Sequence, residues 1–184
     1  MVQLSEDVQT KESEMADSTN RGLITRAYLE VQREAHKNDD YGISGHKWAE
    51  YIKRFGIDDI LDYGCGKRTL EKALGFPIHN YDPAIEAFSA MPEPAQMVVC
   101  GDVLEHVEPE CLDSVLAHLV ELTIEYGFFV IGTHKAKRIL SDGRNAHILL
   151  RSPEWWRNEL SQYFDIIEAI EGNGEFVVFV RSKE

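Results

Sequence analysis

Ile60-Leu61-Asp62-Tyr63-Gly64-Cys65-Gly66 is the stretch on which the reading of this chain turns. Four residues of strand character run without a spacer into two glycines separated by a single residue. A strand ending in so small a turn leaves bare backbone at its carboxyl end, where a bound group can approach closely. Residues 69–74, closed by Gly75, follow as a helix, and Ile78-His79-Asn80-Tyr81-Asp82 predicts a second strand stopped by Pro83. Asp82 stands 20 residues after Asp62, the window in which dinucleotide-type folds place the acid that takes ribose hydroxyls. A lone Gly-x-Gly would serve equally well to close a tight turn. Strand, Gly-x-Gly, helix, strand and acid in that order point to a cofactor site. A nicotinamide dinucleotide is the competing ligand, disfavoured because the third glycine of its fingerprint is unfilled.

Working outward, Gln96-Met97-Val98-Val99-Cys100 is a third apolar strand ended by Gly101-Asp102. Leu112, Val115, Leu116, Leu119 and Leu122 form a helical stripe within 110–126, and 127–133 is a strand apolar on both faces. After a polar stretch over 134–147, Ser152-Pro153-Glu154 starts a helix that runs to about Tyr163. Strands over 164–171 and 175–181 close the chain, joined at Gly172-Asn173-Gly174, where Asn-Gly is a strong hairpin signal. Upstream, apolar residues at helical spacing mark 23–37, the run 38–42 breaks that helix, and a second short helix spans about 46–55. Strands alternating with helices imply a mostly parallel sheet covered on both faces. The expected fold is therefore a Rossmann-like three-layer α/β/α sandwich with a C-terminal antiparallel hairpin.

The chain has 184 residues, which suits one domain over 21–184 behind a disordered acidic tail over 1–20. A formal net charge of −13 works against long nucleic acids, whose sequence-independent binding relies on Lys and Arg. No apolar run reaches the roughly 20 residues that span a bilayer. Cys65, Cys100 and Cys111 form an odd set without a CxxC pair, so a reduced, cytoplasmic setting is expected.

Three segments carry a family resemblance. Residues 60–66 look like motif I of class I S-adenosylmethionine-dependent methyltransferases, and Asn80-Tyr81-Asp82-Pro83 looks like their ribose-binding acidic motif. Met97-Val98-Val99-Cys100-Gly101-Asp102-Val103-Leu104-Glu105-His106-Val107 is similar to the strand-four segment of the branch containing the ubiquinone-pathway O-methyltransferases. The resemblance implies S-adenosylmethionine as cofactor. Gly64, Cys65 and Gly66 would meet its methionine moiety, Asp82 its ribose, and Asp62, Pro83, Asp102 and Val103 would complete the contacts. Tyr41-Gly42-x-Ser44-Gly45 lies where relatives cover the cofactor, so the helices over 21–56 are expected to form a cover over cofactor and substrate. Two departures stand out. Arg68 replaces the last glycine of motif I, and only 13 residues separate Asp82 from Gln96. The sheet is therefore expected to be shortened between its second and fourth strands, the strand that usually carries the adenine-recognising acid being shortened or missing. Adenine is then expected on the segment 84–91, with Phe88 as a stacking surface.

Methyl transfer is an in-line displacement in which positioning supplies much of the catalysis, while an oxygen or nitrogen nucleophile also needs a base or a metal. Asp102, Glu105 and His106 follow a strand end, and His147 lies beyond the next one. This set resembles the divalent-metal site of small-RNA 2′-O-methyltransferases, and carboxylates plus imidazoles suit Mn, Zn or Fe. The other readings are His147 as a metal-free general base and Glu105-His106 as mere packing beside the cofactor. His106 and Arg144 complete the catalytic candidates, Arg144 as a clamp for a carboxylate or phosphate. One of Trp155 and Trp156 is expected in the core and the other on the floor of a substrate pocket. The expected activity is methyl transfer to a small metabolite, sugar or nucleotide, at oxygen. A non-catalytic cofactor-binding scaffold and non-methyl chemistry on the same cofactor are the alternatives.

Overall fold

The computed structural model describes residues 21–183; the tail expected over 1–20 lies outside them. Strict alternation on the central strands decides which helices cover which face. Strand β1 (Ile60–Tyr63) is flanked by β2 (His79–Tyr81) and β3 (Ala95–Gly101), followed by β4 (Thr123–Gly132), β5 (Phe164–Gly172) and β6 (Glu175–Ser182). Met97 and Val99 of β3 and Phe128 and Val130 of β4 point to one face. Val98, Cys100, Phe129 and Ile131 point to the other. Both faces are apolar because both are covered.

The helices, in chain order, are α1 (Arg26–Ala35), α2 (Ala49–Ile52), α3 (Thr69–Leu74), α4 (Leu112–Leu122) and α5 (Pro153–Tyr163). Ile52 of α2 and Leu70 and Leu74 of α3 fill the first face. Leu116 and Leu119 of α4 and Trp156 and Leu160 of α5 fill the second. The three layers of a Rossmann-like sandwich result, as the sequence pattern implies.

The sheet runs β2-β1-β3-β4-β6-β5. The first four strands are mutually parallel. β6 inserts antiparallel between β4 and β5. Asn173 and Gly174, at φ 54° and 77°, make the two-residue left-handed turn that this hairpin needs. Ser152 caps α5 by accepting a hydrogen bond from Trp155 N, with Pro153 in the first turn. No strand follows β2 before β3 among the described residues; a single 3-10 turn, Glu86–Phe88, takes its place. β2 is therefore the edge of the sheet.

One boundary differs from expectation. The helical stripe ends at Leu122 rather than Tyr126, and β4 begins at Thr123. β-Branched and aromatic residues at 123–126 favour extended backbone, and pairing with Ala95 and Met97 of β3 decides the outcome. No helix of the described residues is long and apolar enough to cross a membrane.

Candidate functional site

A cavity of about 190 Å³ lies at the carboxyl ends of β1, β2 and β3. Tyr63 and Gly64, Asp82 to Ala84, and Asp102 and Val103 form its floor. Tyr28, Gln32 and His36 of the α1 segment roof it, followed by residues 40–44. Open parallel sheets bind ligands at this edge because the strand-to-helix turns diverge there and expose backbone donors.

Long-range bonds hold the roof down. Glu108 accepts from the Thr25 amide and hydroxyl, each at 2.9 Å. The Lys67 amide donates to the Gly42 carbonyl at 2.8 Å. That contact needs Gly66, at φ 49°, because a Cβ there would strike the Gly42 backbone. Ser44 Oγ donates to Asp102 Oδ2 at 2.8 Å, and Tyr41 Oη donates to Gln32 Oε1 at 2.8 Å.

Asp82 is buried and accepts from the Gly66 amide at 3.1 Å and the Ala84 amide at 2.9 Å. His36 Nε2 stands 3.6 Å away. Burial raises the Asp82 carboxyl above its ordinary range, against the pull of His36 and the two amides. Asp62 is pushed up to about 7, by burial first and then by Asp82 and Glu71.

The second constellation borders the first. Ligand atoms of Asp102, Glu105, His106 and His147 all lie within 4.8 Å of one another. Glu105 is fully buried, and Oε1 accepts from the Gly132 amide while Oε2 has no hydrogen-bond partner. Burial and the adjacent Asp102 carboxylate hold Glu105 well above the ordinary carboxylate range. His106 Nδ1 faces the Ala146 carbonyl at 2.7 Å and His147 Nδ1 faces that of His134. Each contact assigns the ring proton to Nδ1 and leaves the Nε2 lone pair free, the arrangement by which a protein presents imidazole to a metal. His106 is pushed down to about 4, chiefly by burial, so its ring is neutral near pH 7. The residues present fit a divalent cation: two carboxyl groups crowd together, one oxygen is an orphan, and two imidazoles stand beside them.

Tyr41, Gly64, Asp82, Pro83, Asp102, Val103 and His106 line the cavity. Asp62, Cys65 and Gly66 lie behind that surface, and Gly66 acts through the amide that holds Asp82. Glu105 and His147 meet the cavity through their neighbours Asp102 and His106. Arg144 does not reach it: the guanidinium pairs with Asp142 at 2.7 Å, rests 3.9 Å from Glu108, and covers the Tyr28 ring. Trp156 is core, whereas Trp155 lies under Arg151, away from the cavity. Phe88 is also away from it, its ring covered by Arg68 at 5.2 Å. Gln32, His36 and Glu108 were not singled out by the sequence reading. Their one visible signal is a polar residue at position 32, inside the stripe that buries Tyr28 and Ala35.

Solved structures share this fold. The chain is similar to the 1,6-didemethyltoxoflavin-N1-methyltransferase of Burkholderia thailandensis with 1,6-didemethyltoxoflavin and S-adenosylhomocysteine bound, at 17% identity and a TM-score of 0.61, covering 86% of this chain and 90% of that one. It is similar to the N-methyltransferase NodS of Bradyrhizobium japonicum WM9 in complex with S-adenosylhomocysteine, at 15% identity and a TM-score of 0.59, covering 87% and 100%. The magnesium protoporphyrin IX methyltransferase of Synechocystis PCC 6803, also with bound S-adenosylhomocysteine, aligns at 13% identity and a TM-score of 0.57, covering 93% and 99%. No protein-family model and no curated protein sequence matches the chain. At these identities the likeness establishes the fold.

Proposed function

We propose that this chain is an S-adenosylmethionine-dependent methyltransferase that acts on an oxygen of a small acceptor with the help of a divalent cation. The observation that carries the reading is one cavity bordered by both constellations, with Asp82 at its ribose end and the Asp102/Glu105/His106/His147 cluster beside it. The shared fold supports it, because the three solved structures named above each hold S-adenosylhomocysteine. Two of those proteins are named for small-molecule acceptors, which suits a cavity roofed by a single short helix. Cys65 and Cys100 are buried free thiols, which suits a reducing cytoplasm.

S-adenosylmethionine supplies a methyl group on a sulfonium. When bound, it would supply that methyl to an acceptor oxygen, the carbon–sulfur electron pair staying on sulfur and the acceptor's proton passing to a base or to solvent. The chain's part is to bind the ribose through Asp82, to align donor and acceptor beneath α1, and to exclude water. Asp102, Glu105, His106 and His147 would hold the cation, which when bound lowers the pKa of an acceptor hydroxyl. In a cation-free enzyme, His147 Nε2 would instead take the acceptor proton.

Calorimetric titration with S-adenosylhomocysteine, on wild type and Asp82→Ala, tests the cofactor site. Micromolar binding that the substitution removes is expected. No binding at millimolar ligand would sink the reading. A thermal scan with Mn²⁺ against chelator tests the cation: a metal-dependent rise in Tm, absent in Glu105→Gln, is expected. Equal Tm with and without metal would leave His147 as the base. Methylthioadenosine as product, in place of S-adenosylhomocysteine, would reveal a different reaction on the same cofactor.

A further inference from the structure

With β2 at the sheet edge, no strand among the described residues lies beyond it to carry an acid for the adenine ring. The other expected partner, Phe88, is occupied by the Arg68 guanidinium and lies outside the cavity. The cavity itself continues from Gly64 and Asp82 into an apolar end walled by Leu23, Ile24, Tyr63, Val107 and Val115. Leu23 and Ile24 come from the segment just before α1, and Val115 comes from α4. The segment and the helix thus both contribute to an apolar slot in the lining.

One charge lines that slot. Glu108 is 5% exposed, and Oε2 and Oε1 accept from the Thr25 amide and hydroxyl. Arg144 stands 3.9 Å from Oε1 and the Cys111 thiol 4.0 Å from Oε2. A carboxylate has about four lone-pair sites; Oε2 accepts from both the Thr25 amide and the Cys111 thiol, so acceptor capacity remains on Oε1. An apolar slot with one buried acceptor at its rim matches a flat heterocycle carrying an exocyclic amino group. The ring faces bury against Ile24 and Val115, and the N–H meets an ionised acceptor.

We propose that the adenine of the cofactor lies in this slot and that Glu108 accepts its 6-amino group, replacing the acid of the absent strand. The inference rests on the methyltransferase reading and adds which residues read the base. The same carboxylate anchors Thr25, so base recognition and closure of the α1 roof share one group. A ring without the amino donor leaves Glu108 facing an oxygen in a desolvated place, which is costly.

The test is calorimetry on the full chain with S-adenosylhomocysteine and with S-inosylhomocysteine, whose 6-oxo ring lacks the amino donor. Wild type is expected to prefer the adenosyl ligand about tenfold or more. Glu108→Gln keeps an acceptor for Thr25 and gains an N–H donor for the oxo group. Its preference is expected to collapse to within about threefold. Ile24→Trp, on the roof and outside the main core, fills the slot; adenosyl affinity is expected to fall about tenfold, with an unchanged circular dichroism spectrum. A tenfold adenosyl preference retained in Glu108→Gln, or unchanged affinity in Ile24→Trp, would overturn the assignment while leaving the methyltransferase reading standing. Failure of wild type to bind either ligand would overturn both.

Discussion

Asp62, one residue before the end of β1, is a buried carboxyl influenced by a second one, Asp82, and its environment fixes the sign of a pH effect. With a folded pKa of about 7 against an ordinary 3.8, the folded state keeps a proton that the unfolded chain releases. Stability therefore falls as pH rises from about 4 to about 7, and the loss is complete above that window. His106 works the other way: its folded pKa of about 4 costs stability as pH falls below 6.5. Asp62→Asn should flatten the alkaline side, raising stability at pH 8 by on the order of 2–4 kcal/mol while leaving pH 4 nearly unchanged. Urea denaturation at the two pH values measures this, and an equal change at both would contradict it. The sequence places Asp62 and Asp82 at two strand ends, but not their contact. His36 and Asp82 are 46 positions apart and Thr25 and Glu108 are 83 apart, so no local pattern announces either pair.

At the scale of elements, α1 is a roof whose fastening is specific. Thr25 caps the helix by accepting from the Tyr28 amide and also donates to Glu108. Thr25→Val removes both bonds and should cost about 1 kcal/mol, or roughly 2–4 °C in Tm, with faster release of S-adenosylhomocysteine. Gly132, at the end of β4, is the matching device on the cation side. A Cβ there would sit 2.6 Å from Glu105 Oε1 and 2.7 Å from His147 Cε1. Gly132→Ala is expected to remove the Mn²⁺-dependent rise in Tm and to leave S-adenosylhomocysteine affinity within about threefold. Loss of both would mean the substitution has disturbed the whole strand end. The elements themselves were largely legible, because alternation, glycine turns and the Asn-Gly hairpin are local. The end of α4 was not, since residues 123–126 become strand only through partners on β3 and β6.

For the whole molecule, the 13 residues between Asp82 and Gln96 foretold a sheet one strand short, and the sheet is so built. What the sequence could not show is how the vacated side is covered. Leu23 belongs to the same buried cluster as Leu112, Val115 and Leu116 of α4, so the segment leading into α1 contributes to the second core. That packing is tertiary and follows from no spacing in the segment itself. Phe88, the aromatic nearest in sequence to the shortened region, has a ring face covered by Arg68.

The roof is fastened at both ends, by Thr25 to Glu108 and by the Gly42 carbonyl to Lys67. Seen as a clock, that fastening sets a residence time. On the methyltransferase reading proposed above, spent cofactor beneath α1 would depart at the rate at which those bonds let go, giving turnover a ceiling that the chemical step does not set. In stopped-flow measurements the dissociation rate of S-adenosylhomocysteine should then coincide with kcat, and acceptors of quite different reactivity should share one maximal rate.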